Sequence, residues 1–444
     1  MAVQNPVIVV PGITASQLRD EYPVDPERVW GALPFQKKWE RVALHPDDLR
    51  YERDEPARVA PDQVLGVAYG ELIEELRHDL SPRRDRPTPV FPFAYDWRGR
   101  LEDAEARLEG FVDEVIGRTR LLKHYHDDAW SADPKVDLVG HSMGGLVIAG
   151  LLERLGAGSR VGRVATLASP FRGSFEAVLK ITTGLANLGE ETPPRSRERE
   201  IARLTPALYY LLPSLVGGLD IDDGLAPSLD LPASERLFDP ATWQPGVVQT
   251  IEEYIRLHGV ERGGRRQQAE DLFGRLLAGA HAHRRRLESL ELEGAGLQGG
   301  VDGWLCIVGV DAKTRVSLRI ESRRGKPRFD LRSADRHNDW DDGPDPTQTG
   351  DGTVPYAGAR SGFVPLEKIV CLSPDDFGYW EVKDRALEKV AGFHGILPNM
   401  NLARRLVAAH LKGERGRGLR GRRPPDLPAE VAWSPPVSGI EERD

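Results

Sequence analysis

Short apolar runs alternate with amphipathic stretches in the first part of the chain. Four runs rich in β-branched residues predict buried strands at 7–10, 90–93, 136–139 and 164–167. Apolar residues at helical spacing form two stripes between them: Val67, Leu72, Ile73, Leu76 and Leu80, and then Leu108, Phe111, Val112, Val115 and Ile116. Strands that alternate with helices predict a mostly parallel central sheet with helices on both faces, which is an α/β fold.

The pattern changes after Phe175. Residues 176–300 show helical stripes, Pro-rich breaks and few strand signals, which predicts a helical cap inserted into the sheet domain. Sheet signals resume at 304–308, a hairpin is predicted over 316–331, and a further strand at 369–372 precedes a helix at 402–411. The predicted domains are therefore 1–175 and 301–412 for the two parts of the sheet domain, 176–300 for the cap, and 413–444 for a disordered tail rich in Arg, Gly and Pro.

Composition narrows the class of protein. The 444 residues carry a net charge of −9, which argues against nucleic acid as the main partner. Cys306 and Cys371 lie in apolar runs and are expected to be buried thiols, which suits a reducing compartment. We expect neither a signal peptide nor a membrane span, and hence a cytoplasmic protein, with peripheral membrane contact left open.

The segment Gly140-His141-Ser142-Met143-Gly144 lies between a strand-like run and the small-residue apolar run 145–150. Strand, tight turn and helix in that order are typical of the nucleophile elbow of α/β-hydrolases, so Ser142 is the candidate nucleophile and the α/β-hydrolase fold is predicted. The turn would place Oγ at the N-terminus of a helix, where the helix dipole favours developing negative charge. An ordinary serine in a glycine-rich turn is the alternative.

A serine nucleophile needs a base and an acid, and this fold places them later in the chain in the order Ser, Asp or Glu, His. Asp351, in Gly350-Asp351-Gly352-Thr353-Val354, is the candidate acid, because Asp341, Asp342 and Asp345 lie in a polar, Pro-rich stretch expected to be solvated. His394 is the candidate base, since it directly precedes the last predicted helix. His410 falls inside that helix and is expected on its surface.

An oxyanion hole needs two backbone N–H groups. Met143, the residue after the nucleophile, is expected to supply one and Ile13, in the loop after the first strand, the other. No cofactor and no metal site are predicted. His124 and His126 are expected in a solvated loop, and His281 and His283 on a basic helical face.

Several segments together resemble the lecithin:cholesterol acyltransferase family, which includes lysosomal phospholipase and phospholipid:diacylglycerol acyltransferases. The matching segments, in the family's order, are 9–18, Trp30 with its neighbours, Phe93-Ala94-Tyr95-Asp96-Trp97-Arg98, the elbow at 140–144, 168–174, 211–214 and 350–354. The chain departs from the family in two places. No cysteine lies near Trp30, where secreted members carry a disulfide across a flexible lid, and the residues after His394 are shifted relative to the family's pattern.

The resemblance implies a serine-dependent lipid ester hydrolase or O-acyltransferase in lipid metabolism, which works through an acyl-enzyme on Ser142 and takes a lipid ester as substrate. It also implies a lid near Trp30. In the cap, the apolar stretch 207–212, which ends at Leu211 and Leu212, is a candidate lining of an acyl channel or a candidate bilayer contact. These three residues are the candidate substrate contacts, with buried cap core an equal alternative for the stretch. A soluble carboxylesterase or thioesterase, and an inactive binding module on a hydrolase scaffold, are the alternative functions. The oligomeric state is left open.

Overall fold

The computed structural model describes residues 3–22, 24–32, 36–53, 57–184, 196–222, 225, 231–334, 346–378, 381 and 392–443. Within these residues, six parallel strands form the central sheet. From one edge to the other they are β12 (Ile369–Leu372), β9 (Trp304–Gly309), β7 (Val161–Leu167), β6 (Val136–His141), β1 (Val7–Val10) and β5 (Val90–Pro92). Each corresponds to an apolar run of the sequence, so the predicted parallel sheet is confirmed. Asp341, Asp342 and Asp345 lie outside the described residues.

Side chains of the sheet alternate between two hydrophobic layers, as the two-residue period of a strand requires. Ile8 and Val10 belong to the layer covered by α3 (Leu101–Arg120), α5 (Met143–Leu155) and the cap, whereas Val7 and Val9 belong to the layer covered by α2 (Gly66–Leu80) and the C-terminal helix (Asn401–Lys412). The helices are α1 (Trp39–Val42), α2 (Gly66–Leu80), α3 (Leu101–Arg120), α4 (Lys123–His126), α5 (Met143–Leu155), α6 (Phe175–Thr183), α7 (Ser196–Leu204), α8 (Pro206–Tyr210), α9 (Pro245–His258), α10 (Arg265–Glu288), α11 (Tyr356–Ala359) and the C-terminal helix (Asn401–Lys412).

The buried stripe of α2 differs from the predicted one at its first position. Val67 is exposed, and Tyr69 is buried with Leu72, Ile73, Leu76 and Leu80. Val67 lies in the first turn of α2, outside the contact between this helix and the sheet. The stripe predicted for α3 faces the core.

The chain between β7 and β9, which are neighbours in the sheet, forms α6 to α10. The apolar stripe of α10 is buried as its spacing indicates. The predicted hairpin is present as β10 (Thr314–Arg323) and β11 (Lys326–Ala334), and β8 (Leu219–Ile221) from the helical insert pairs with β10. This pairing joins the helical insert to the chain beyond residue 300. The domain boundaries stay predictions.

A second small sheet follows β1 directly. It consists of β2 (Ser16–Asp20), β3 (Glu27–Trp30) and β4 (Val59–Val64), all antiparallel. Its strands are short and partly polar, so the hydrophobic pattern did not single them out. This sheet carries Trp30 beside the loop that links β1 to β2.

Residues 413–443, which the sequence predicted to be disordered, lie against the sheet domain. The N–H and C=O groups of Cys371, on edge strand β12, bond to those of Arg422 at 2.9 and 3.0 Å. Short strands β13 (Arg420–Gly421) and β14 (Glu441–Glu442) pair with each other. Leu419, Leu427 and Val437 are buried, and Trp433 and Ile440 pack against the core, so a segment of low overall hydrophobicity still contributes apolar side chains to the fold.

Both cysteines are buried and free, as predicted. In the part of the chain that the structure describes, no helix combines the length and the apolar character needed to span a bilayer.

Candidate active site

The sharp turn between β6 and α5 carries Ser142. Its backbone has φ 54° and ψ −128°, a left-handed conformation that costs an L-residue on the order of 1–3 kcal/mol. A Cβ on Gly144 would lie 2.2 Å from the carbonyl oxygen of Val10, and one on Gly140 would lie 2.7 Å from Ile148 Cδ1. Larger residues are excluded at both positions because the turn packs directly against β1 and α5. The predicted strand, turn and helix are all present.

The side chains of Ser142, His394 and Asp351 meet above this turn. His394 Nε2 lies 2.9 Å from Ser142 Oγ, and His394 Nδ1 lies 2.7 Å from Asp351 Oδ2. His394 comes from the helical turn at 392–396, and Asp351 from a loop beside the end of β9, where a Cβ on Gly309 would lie 2.4 Å from Asp351 Cβ. The structure therefore brings together the three residues that the sequence singled out, and their catalytic role stays a prediction.

Backbone groups fix the carboxylate of Asp351. Its Oδ1 accepts the N–H groups of Thr353 at 2.9 Å and Val354 at 2.7 Å, which leaves Oδ2 for the histidine ring. The His394 N–H also donates to the Asp351 carbonyl at 2.9 Å. A carboxylate only accepts hydrogen bonds, so a neutral His394 carries its proton on Nδ1 and presents Nε2 as an acceptor to the Ser142 hydroxyl.

All three side chains are buried, with Ser142, Asp351 and His394 exposed by 6%, 1% and 8%. Little water competes for the hydrogen bonds between them, and charge that develops there is weakly screened. The arrangement can deprotonate Ser142 and stabilise a protonated His394.

The loop after β1 lies over Ser142. A Cβ on Gly12 would fall 2.9 Å from Ser142 Cβ and 3.3 Å from its Oγ, so the backbone of this loop can approach only because Gly12 has no side chain. Ile13 follows directly in the same loop. Met143 is the first residue of α5, and its N–H therefore has no partner within that helix. Both candidate oxyanion donors thus stand beside Ser142, and their role stays a prediction.

Four aromatic side chains hold this loop. Tyr95 O–H donates to the carbonyl of Pro11 at 3.0 Å, and Trp97 Nε1–H donates to the carbonyl of Ser16 at 3.1 Å. Trp30 Nε1–H donates to the carbonyl of Thr14 at 2.9 Å. Thr14 has φ 63°, a strained backbone conformation that this hydrogen bond helps to hold. The Gly12 N–H donates to Tyr69 Oη at 3.0 Å. The Tyr-Asp-Trp-Arg segment thus binds the backbone around the loop above Ser142 through the side chains of Tyr95 and Trp97.

The three candidate substrate contacts are all buried. Trp30 packs against Trp39 and Trp97 with ring centroids at 5.1 and 4.9 Å. Leu211 and Leu212 belong to the core layer shared by the cap and the sheet, and their carbonyls accept hydrogen bonds from the Ser174 N–H and from Arg284. Such positions favour the cap-core interpretation of the stretch, and contact with a substrate stays a prediction.

Two residues of this site were not identified from the sequence. His141 and Tyr69 are buried and bond to each other at 2.7 Å, close to both Gly12 and His394. His141 was visible as part of the elbow but had no assigned role. Nothing in the spacing of α2 distinguishes a tyrosine that faces the site from one that fills the core.

Three other histidines, His410, His283 and His124, bond to groups outside the candidate triad. His410 was predicted on the surface of the C-terminal helix, and this prediction is wrong, because the side chain is buried. Its Nε2 bonds to the carbonyls of Val164 and Gly303, which lie beneath that helix. His283, predicted on a basic helical face, lies on α10, is buried and pairs with Glu105 at 2.8 Å. His124 contacts the Pro87 carbonyl. Within the described ranges, no cluster of three or more His, Cys, Asp or Glu side chains could hold a metal ion.

Part of the chain matches a protein-family model. Residues 80–240, a little over a third of the chain, match the family model described as lecithin:cholesterol acyltransferase. This range contains the Tyr-Asp-Trp-Arg segment, the elbow and the start of the cap. The match confirms the resemblance over these residues. No curated protein sequence matches the chain significantly.

Solved structures support the fold. The chain is similar to a structure described as the Tle4-Tli4 complex, with 17% identity, a TM-score of 0.59, and coverage of 93% of this chain and 98% of that one. A structure of the Bacillus licheniformis lipase BlEst2 in mature form matches 46% of this chain and 57% of its own at 16% identity, and its TM-score of 0.24 is too low to carry an argument. The chain has the α/β-hydrolase fold.

Proposed function

We propose that this chain, which has the α/β-hydrolase fold and matches the lecithin:cholesterol acyltransferase family model over residues 80–240, is a serine-dependent lipid ester hydrolase or O-acyltransferase. The observation that carries the proposal is the pair of short contacts that joins Ser142 Oγ to His394 and His394 to Asp351. The family description supports the lipid class of the substrate.

The first half of the proposed reaction forms an acyl-enzyme. Ser142 Oγ attacks the ester carbonyl while His394 Nε2 accepts its proton, and Asp351 Oδ2 stabilises the resulting imidazolium through Nδ1–H. The carbonyl oxygen becomes an oxyanion, which the N–H groups of Ile13 and Met143 would bind. His394 then returns the proton to the departing alcohol as the carbon–oxygen bond of the ester breaks.

The second half reverses these roles with a new acceptor. His394 deprotonates either water or an alcohol, which attacks the carbonyl carbon of the acyl-enzyme. The bond from that carbon to Ser142 Oγ then breaks, and His394 returns the proton to Oγ. Water yields a free fatty acid, and an alcohol yields a new ester. Hydrolysis and acyl transfer therefore share the same residues, and they differ in which acceptor the cap and the lid admit.

Labelling with a fluorophosphonate probe tests the proposal. The wild-type protein should be labelled at Ser142 and should hydrolyse a long-chain ester, whereas Ser142→Ala should lose labelling and several powers of ten in kcat. Ser159→Ala is the matched control, because Ser159 is equally buried but lies before β7, where its Oγ accepts the Val161 N–H. An unlabelled wild-type protein, or labelling that persists in Ser142→Ala, would overturn the assignment.

A further inference from the structure

A row of buried hydrogen bonds joins the loop above Ser142 to the backbone of His394. Gly12 N–H lies 3.0 Å from Tyr69 Oη, Tyr69 Oη lies 2.7 Å from His141 Nδ1, and His141 Nε2 lies 3.0 Å from the carbonyl oxygen of His394. Tyr69 is exposed by 1% and His141 by 5%, so each bond is shielded from water. The row begins at the loop that contains Ile13 and ends at the candidate base.

The chemistry of the groups determines the direction of every bond in this row. A carbonyl oxygen only accepts hydrogen bonds, so His141 Nε2 carries a proton and its N–H donates a hydrogen bond to the backbone carbonyl oxygen of His394. Burial, together with the neighbouring His394, holds the pKa of His141 well below its ordinary value, so the ring is neutral and Nδ1 is an acceptor. Tyr69 therefore donates its O–H to Nδ1 and accepts the Gly12 N–H.

Two hydrogen bonds, one from the row and one from Tyr95, fix the peptide group between Pro11 and Gly12. The carbonyl of this group accepts the Tyr95 O–H, and its N–H donates to Tyr69. The next peptide group along the chain carries the Ile13 N–H, the candidate oxyanion donor. Its carbonyl, on Gly12, accepts the Ala15 N–H at 3.3 Å, which is a long hydrogen bond. The orientation of the donor therefore depends strongly on the peptide group that precedes it.

We propose that Tyr69 and His141 are positioning residues, which hold the loop of the oxyanion donor in register with the backbone of His394. The inference rests on the proposed function and deepens it. Neither side chain needs to contact the substrate, because Tyr69 acts through the Gly12 N–H and His141 through Tyr69 and the His394 carbonyl.

The proposed role acts on the transition state more than on substrate binding. The negative charge on the carbonyl oxygen develops only as Ser142 attacks, so a donor displaced by a fraction of an ångström weakens stabilisation of the transition state and leaves binding of the neutral ester almost unchanged. Loss of either residue should therefore lower kcat and leave KM close to its original value.

Tyr69→Phe tests this with a single-atom deletion, measured as kcat and KM on a soluble ester. We expect kcat to fall by about tenfold or more with KM within about twofold. Tyr125→Phe is the matched control: Tyr125 is fully buried, and its hydroxyl donates to the Gln4 carbonyl at 2.7 Å, at the opposite end of the sheet. It should lose stability and keep kcat. Equal kcat in both variants, or a rise in KM alone, would overturn the proposal.

A double variant shows whether the two residues act as one unit. His141→Ala should lower kcat, and Tyr69→Phe combined with it should be no slower than the slower single variant, since either change interrupts the same row. If the two losses of kcat multiply in the double variant, the residues act independently, and the proposed coupling through the row is overturned.

Histidine-selective ¹⁵N NMR gives a readout that does not depend on activity. His141 should appear as a neutral ring protonated on Nε2 that does not titrate between about pH 5 and 8, and Tyr69→Phe should shift its Nδ1 resonance as the donor is lost. A ring protonated on Nδ1 would reverse the row and overturn the proposal. Failure of the proposed function is distinguishable from these outcomes, because the wild-type protein would then resist the fluorophosphonate probe.

Discussion

At the scale of single residues, the candidate site depends on backbone positions that few residue types tolerate. Ser142 and Thr14 hold positive φ angles of 54° and 63°, and Gly12 and Gly144 lie where any side chain would collide with Ser142 or with the end of β1. Such strain persists only where the surrounding structure enforces it. The bonds from Trp30, Tyr69 and Tyr95 hold the loop that contains Thr14, and the Ser142 N–H donates to the carbonyl of Leu167 at 2.9 Å.

The three residues of the candidate triad should behave as one unit. We expect His394→Ala and Asp351→Asn each to lower kcat by roughly three to four powers of ten, because an amide at position 351 no longer stabilises the Nδ1–H form of His394. Either change combined with Ser142→Ala should add almost nothing in single-turnover measurements.

His410 provides the comparison for His394. It is buried and its Nε2 bonds to two backbone carbonyls, so His410→Gln should affect stability and spare kcat. If the His410 variant were inactive and His394→Ala retained full activity, the candidate base would be wrong.

At the scale of elements, the C-terminal segment closes an exposed edge of the sheet. Arg422 pairs with Cys371 through the backbone, and Trp433 Nε1–H donates to the carbonyl of Ile369 at 2.8 Å. The side chains of Arg422 and Arg443 both contact Asp376, which is buried. A segment with these contacts protects the unpaired groups of β12 from association with other chains.

Removal of residues 413–444 should therefore destabilise the protein. We expect the melting temperature to fall by roughly 5 °C or more, since buried apolar side chains and hydrogen bonds of an edge strand are lost together. Asp376→Asn, which weakens the ion pairs but keeps the segment, should cause a smaller loss. An unchanged melting temperature, with rapid tryptic cleavage at the arginines of the intact tail, would restore the disordered interpretation.

At the scale of the whole molecule, buried titratable groups couple the stability of the fold to pH. Burial lowers the pKa of His410 to about 4. An unfolded histidine titrates near 6.5, so between about pH 6.5 and 4 the unfolded chain binds a proton that the folded chain does not. The free energy of unfolding therefore decreases as the pH falls through this window. Asp137, whose pKa burial raises to about 7, contributes with the opposite sign.

The contribution of His410 can be isolated by difference. Between about pH 6.5 and 4, the free energy of unfolding of the wild-type protein should fall more steeply than that of His410→Gln, by up to about 1.4 kcal/mol per pH unit for one proton. Urea unfolding at several pH values measures both curves, and the effect of Asp137 cancels in the difference. Parallel curves would mean that His410 binds its proton over the same pH range in the folded and the unfolded protein.

The sequence by itself determined the central sheet, the elbow and the identity of the candidate triad. Strands buried on both faces read as continuous apolar runs, and a glycine-flanked serine between a strand and a helix allows few conformations. Asp351 and His394 could be selected because the chain order of this fold limits where an acid and a base can come from.

Only the tertiary structure decided the roles of residues whose partners are far away in the chain. His410 was expected on a surface and is buried, and residues 413–443 were expected to be disordered and instead lie against the sheet domain, where Arg422 pairs with Cys371 of β12. The hydrogen bond from Trp30 to Thr14 could not be anticipated either, and contact of Trp30 with a substrate stays a prediction. Tyr69 could not be recognised at all, because its partners Gly12 and His141 lie 57 and 72 residues away. Periodicity reports which face of an element is apolar, whereas a buried hydrogen bond depends on which elements meet, and that is fixed only when the whole chain packs.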